Sequence, residues 1–176
     1  MAGAVVTAAK NLLSSSSVEW YTAPATLAVV RRLLGRIDLD PASCEAANEV
    51  VGAEVYLDRA VDGLSVEWCG RVFCNPPYGR GVTDRWVDKM IEEHTSGRIE
   101  AGVMLLNATP DRRWFQRLWD YPICFAFRRM RAWRPGGEAK SPTHPHVLVG
   151  FGLEDRVDFK AACEGYGHVV WPGGVQ

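Results

Sequence analysis

The sequence predicts an α/β fold, a parallel-rich sheet with helices on both faces, and three observations carry that expectation. Short apolar runs at residues 37–40, 71–74 and 101–106 alternate with segments whose apolar residues recur at helical spacing. Two of those runs stop at polar side chains, Asp40 and Asn75, and in open parallel sheets ligands bind beyond the carboxyl ends of strands. The chain has 176 residues, 47% of them apolar, which suits one domain with a sizeable core.

The elements follow in order. Residues 1–17, with their serine run at 14–17, bury little and read as a mobile arm ahead of a single domain at 18–176. Thr22 is a candidate cap for a helix whose first turn accepts Pro24, with Leu27, Val30 and Leu34 on one face and Gly35 as its stop. Residues 37–41 alternate apolar and acidic positions before a proline, a short strand that ends in Asp40. Residues 42–51 are compatible with a helix, and 54–57 with a second strand.

Asp62-Gly63-Leu64 interrupts the chain as a turn before the strand at 71–74. Thr83 is the expected cap of a helix carrying Trp86, Val87, Met90 and Ile91 inward, up to Gly97. After the buried strand at 101–106 comes a helix with Thr109 as cap, Pro110 first, and Trp114, Phe115 and Leu118 facing the core. Late strands are expected at 123–127, 146–151 and 168–171, with a helix at 157–163.

Composition narrows the function. A net charge of −1 excludes a uniformly basic surface, so nucleic acid would be held by local patches. Five scattered cysteines without a C-x-x-C pair read as reduced thiols of a cytoplasmic protein. A signal peptide and a membrane span are not expected. His144 and His146 lack identifiable further ligands, so no metal is expected.

The strongest chemical signal is Asn75-Pro76-Pro77-Tyr78 at a strand end. The Asn75 side-chain oxygen and the Pro76 carbonyl are two acceptors able to grip the hydrogens of an exocyclic amine, and Tyr78 offers a flat face for an unstacked base. Taken alone, the same residues could form an ordinary turn.

This group resembles the catalytic motif of amino-methyltransferases that use S-adenosylmethionine, and the chain from Trp20 to about Gly152 is similar to the phage-type (Dam-like) DNA N6-adenine methyltransferase family. The resemblance rests on several motifs in matching order: Trp20-Tyr21-Thr22-Ala23-Pro24, Asp38-Leu39-Asp40-Pro41-Ala42-Ser43, Asp62-Gly63-Leu64, residues 68–79, and Trp114-Phe115. It implies a Rossmann-like class I methyltransferase, mostly parallel with a late antiparallel strand.

It further implies that Asp40 lies near the methionine portion of the cofactor, where an ammonium invites a carboxylate. Tyr21, Thr22 and Pro24 would line that pocket with Pro41, Ala42 and Ser43, Asp62 and Leu64 would lie near the adenosine, and Asn75 to Tyr78 would hold the target adenine, with Asn75 also bordering the cofactor. Pro41-Ala42-Ser43-Cys44 stands where many methyltransferases have a Gly-rich turn, so this turn must avoid positive φ.

Arg128, Arg129, Arg131, Arg134 and Lys140, interleaved with Trp133, form the candidate phosphate-contacting patch. The leading expectation is a DNA-adenine methyltransferase acting as a monomer. The alternatives are methylation of an RNA base or protein glutamine, and a non-catalytic nucleic-acid-binding module suggested by the glycine-poor turn.

Overall fold

The computed structural model describes residues 21–130, 144–153 and 155–173. The expected N-terminal arm lies outside them. The elements run α1 (Pro24–Leu34), β1 (Leu39–Asp40), α2 (Glu45–Val51), β2 (Val55–Tyr56), β3 (Gly70–Cys74), α3 (Val82–Thr95), β4 (Ile99–Asn107), α4 (Arg113–Gln116), β5 (Ile123–Ala126), β6 (His146–Phe151), α5 (Arg156–Ala162) and β7 (Gly167–Val170).

One seven-stranded sheet has the order β2-β1-β3-β4-β6-β5-β7. Its first half, β2-β1-β3-β4, is parallel. Beyond β4, β6 runs antiparallel to β4 and to β5, and β7 antiparallel to β5. Two late strands are thus reversed where one was expected, and β5 points the same way as β3 and β4.

Both faces of the central strands are buried, which is why they read as continuous apolar runs rather than alternating ones. Val72 and Cys74 of β3 join Met104 and Leu106 of β4 in a core with Trp86, Val87 and Met90 of α3 and Trp114 and Phe115 of α4. Phe73, Val103 and Leu105 face the other way, against Leu27, Val30 and Leu34 of α1 and Phe159 of α5. The period-2 geometry of a strand divides each run between the two layers.

Three expected caps are corrected. The N-cap of α1 is Ala23, whose side chain cannot cap, and the Thr22 hydroxyl is engaged elsewhere. Helix α3 is entered through Gly81 at φ 74, a turn open to glycine at no steric cost, leaving Thr83 buried inside the helix. The helix expected from Pro110 shrinks to the single turn of α4, because the Arg112 amide bonds the Thr109 carbonyl in a preceding turn. Its burden of Trp114, Phe115 and Leu118 is buried all the same.

Helix α2 starts at Glu45 rather than residue 42, because the chain after β1 is held extended. The Ala42 amide donates to Asp40 Oδ1 at 3.2 Å and the Ser43 amide to the Leu57 carbonyl at 2.9 Å. At its other end Gly52 adopts φ 64, and Arg31 donates to the Val50 and Val51 carbonyls at 2.6 and 3.0 Å, satisfying groups that the last turn leaves open.

Candidate active site

From β1 the chain leaves through α2 to β2 on one side, and from β3 through α3 to β4 on the other. The carboxyl ends of β1 and β3 therefore flank the point where the strand order reverses, the place where open α/β sheets bind ligands. A cleft of about 750 Å³ opens there, lined by Tyr21, Thr22, Asp40, Pro41, Ala42, Ser43, Asp62, Asn75, Pro76, Pro77 and Tyr78. The expected residues from four separate segments thus meet at one rim. Pro24, exposed at the first turn of α1, and Leu64, packed on the core, lie outside that lining.

On the β1 side, Asp40 is 3% exposed. Burial raises its carboxyl pKa to about 7, with the Ala42 amide and the nearby Ser43 hydroxyl pulling the other way. Ser43 lies close enough to act on Asp40, yet its buried hydroxyl completes no hydrogen bond of normal geometry among the described residues. An acid held partly neutral by burial and an orphaned hydroxyl suit a ligand that brings a cation and a polar group. At the end of this turn Cys44 sits in extended backbone at φ −157.

The facing wall is a locked turn. Asp62 Oδ1 accepts the Leu64 amide at 3.1 Å, and the Gly63 carbonyl accepts Trp68 Nε1 at 2.8 Å. Gly63 lies directly on the Pro41 carbonyl, so a methyl group there would overlap it. The two loops that wall the cleft therefore touch through a residue that must be small.

On the β3 side, Asn75 is fixed at both ends of its amide. Its Nδ2 donates to Thr22 Oγ1 at 3.1 Å, and its Oδ1 accepts from the Tyr78 hydroxyl at 3.0 Å. The same hydroxyl lies 2.9 Å from the Leu105 carbonyl of β4. Tyr78 is 44% exposed, but its ring is what faces outward; the hydroxyl points in, where burial raises the phenol pKa. Among the described residues no backbone amide donates to the Pro76 carbonyl.

Sequence reading passed over some of the lining. Asp58, just past β2 and 18 residues after Asp40, lines the cleft and accepts the Ala60 amide at 2.8 Å. The signal was present, an acid following the second strand at the distance where nucleotide-binding α/β folds place a ribose acceptor. Trp86, expected in the core, is buried there and also reaches the cleft wall.

Of the basic patch, Arg128 and Arg129 are exposed immediately after β5, whereas Arg131, Arg134 and Lys140 lie outside the described residues. Because β5 runs in the same direction as β3, those two arginines share the rim with Asn75. Among the described residues no group of three or more His, Cys, Asp or Glu side chains is placed to hold a metal. A second depression of about 660 Å³, lined by Arg32, Phe159 and Ala162 between α1 and α5, shares no lining residue with the cleft.

Two acceptors beside an aromatic face suit an amine on a planar ring, and the sheet that presents them is that of a Rossmann-like class I methyltransferase. Residues 10–126 of the 176 match the family model described as DNA N-6-adenine-methyltransferase (Dam), and the chain belongs to that family. It is an S-adenosylmethionine-dependent enzyme that methylates the N6 amine of adenine in DNA. The matched segment takes in β1 to β5, with β6, α5 and β7 beyond it. No curated protein matches the chain. Among the described residues no helix is long and apolar enough to cross a membrane.

Proposed function

We propose that this cleft is where adenine methylation takes place, with the cofactor against the β1 side and the target base against the β3 side. The observation that carries the reading is that Asp40 and Asn75, at the ends of neighbouring parallel strands, line one cavity. Asp40 receives the ammonium group, and Tyr21, Thr22, Pro41, Ala42 and Ser43 surround the methionine portion, with Pro24 behind Thr22. Asp62 borders the adenosine with Leu64 supporting its turn, and Asp58 accepts from the ribose hydroxyls.

Asn75 Oδ1 and the Pro76 carbonyl take the two hydrogens of N6, which aims the nitrogen lone pair along the cleft. Pro77 stiffens the segment, and the Tyr78 ring carries the unstacked adenine. S-adenosylmethionine, when bound, would supply a methyl group activated by positive sulfur, its carbon–sulfur bond being the one broken. The hydrogen bonds to Asn75 and Pro76 strengthen as N6 gains positive charge, so they stabilise the transition state more than the ground state. The N6 proton leaves after transfer.

Arg128 and Arg129, with Arg131, Arg134 and Lys140, hold the DNA backbone beside the flipped base. Residues 18–176 act as one methyltransferase domain after an N-terminal arm. Action as a monomer belongs to the same reading, and five thiols outside any disulfide support a cytoplasmic setting. Photolabelling with radioactive S-adenosylmethionine and subsequent peptide mapping test the cofactor half. Label in residues 40–44 or 58–63 is expected, and label confined to the α1/α5 depression would overturn it.

A further inference from the structure

An amide that must present its oxygen to an amine has a failure mode, since rotation by half a turn offers an NH2 group instead and replaces attraction by donor against donor. Asn75 is half-buried at a loop start, where backbone geometry alone does not select between the two orientations. Hydroxyls on either side of it hold one orientation in this structure. Thr22 Oγ1 takes Nδ2 at 3.1 Å and the Tyr78 hydroxyl meets Oδ1 at 3.0 Å.

Neither contact is incidental. Thr22 is 4% exposed and sits ahead of α1, so its hydroxyl is held by burial rather than free to turn away. The phenol's one proton is shared between two acceptors, Asn75 Oδ1 and, 2.9 Å away, the Leu105 carbonyl in the strand hydrogen-bonded to β3, a three-centre bond that ties the tyrosine tip to the sheet. A carbonyl oxygen has two lone pairs, so Oδ1 keeps one for the amine while Tyr78 holds the other.

We propose that the Thr22 and Tyr78 hydroxyls are positioning groups that fix the Asn75 amide with its oxygen toward the tyrosine ring, so that a base lying on that ring meets an acceptor. This rests on the assignment of Asn75 as the amine clamp. It gives Tyr78 two separable duties, the ring as a platform and the hydroxyl as an orienting donor. It also makes Thr22 a link between the wall that borders the cofactor and the amide that borders the base.

The test is steady-state methylation of unmethylated mixed-sequence duplex DNA by full-length Tyr78→Phe, Thr22→Val, the double variant and Thr22→Ser, with S-adenosylmethionine binding measured by calorimetry. Phenylalanine retains the platform. Each single hydroxyl deletion is expected to lower kcat about tenfold, the cost of one lost hydrogen bond, with cofactor affinity unchanged in Tyr78→Phe and changed in Thr22→Val by less than its loss in kcat. The double variant is expected to fall little further than the worse single one, because both act through one amide, and Thr22→Ser to restore activity.

Wild-type kcat in Tyr78→Phe would overturn the proposal, as would effects that multiply, or a Thr22→Val defect confined to cofactor affinity. Asn75→Ala run in parallel separates the two levels. If it is inactive while the hydroxyl variants are normal, only the positioning claim fails; if it is active, the clamp assignment itself fails.

Discussion

The Asp38 carboxylate accepts the Arg71 amide at 2.8 Å, a bond that ties the chain entering β1 to the start of β3. Gly70, beside it, has φ +71, and a methyl group on its Cα would stand 2.5 Å from Asp38 Oδ2. Gly70→Ala therefore meets both a disfavoured backbone region and an overlap. It is expected to lose about 2–3 kcal/mol, read as a lower urea midpoint at unchanged slope. An unchanged midpoint would show that the latch is not under this constraint.

The burial of Asp40 has a definite sign. Its folded pKa, about 7, lies above its ordinary 3.8, so the folded state prefers the neutral acid. Wild-type stability from this group is full below about pH 4 and is lost as pH rises toward 7. Asp40→Asn is expected to be more stable than wild type at pH 8, by at most on the order of a few kcal/mol, with no gain at pH 4.

Cofactor affinity should move the other way. It should rise in the wild type as pH passes 7 and the carboxylate forms, and be weak and flat in Asp40→Asn. Thermal unfolding and calorimetry at two pH values check both signs, and a pH-independent stability difference would contradict the assignment.

Gly63 and Pro41 make the contact between the two cofactor-side loops. Gly63→Ala must separate them, and displacements of about 1 Å can cost on the order of a hundredfold in rate. The expected outcome is a folded protein with weakened S-adenosylmethionine binding and DNA affinity near wild type. A defect limited to DNA binding would place the cofactor elsewhere.

Arg128 and Arg129 stand three strand spacings from β3, roughly 14 Å along the rim. If both hold phosphates, replacing both by alanine lowers DNA affinity equally for unrelated sequences and flattens the log-affinity against log-salt slope by about two. A sequence-dependent loss, or an unaltered slope, would remove them from the backbone-contacting surface.

Much of this arrangement could be read from residue types. Strands buried on both faces announce themselves as apolar runs, and a run that stops at Asp40 or at Asn75-Pro76 marks a rim. Helix starts were less legible, because hydroxyl residues compete for other partners. Thr22 looks like a cap but bonds Asn75, and Thr83 comes after a glycine that already turns the chain. The position of β6 between β4 and β5 has no local signal, since neighbour order in a sheet is decided by long-range packing. Asp58 was visible as an acid after a strand, but a strand of only Val55–Tyr56 gives little reason to weigh an acid two residues beyond it.

Methyl transfer in this site turns on Asn75, and the most direct measurement is mass spectrometry of nucleosides from unmethylated duplex DNA incubated with S-adenosylmethionine and either wild type or Asn75→Ala. Wild type is expected to produce N6-methyladenine. The variant should produce at least about a hundredfold less, while calorimetry finds its cofactor affinity within a few fold of wild type. N6-methyladenine at wild-type levels from Asn75→Ala would contradict the central claim.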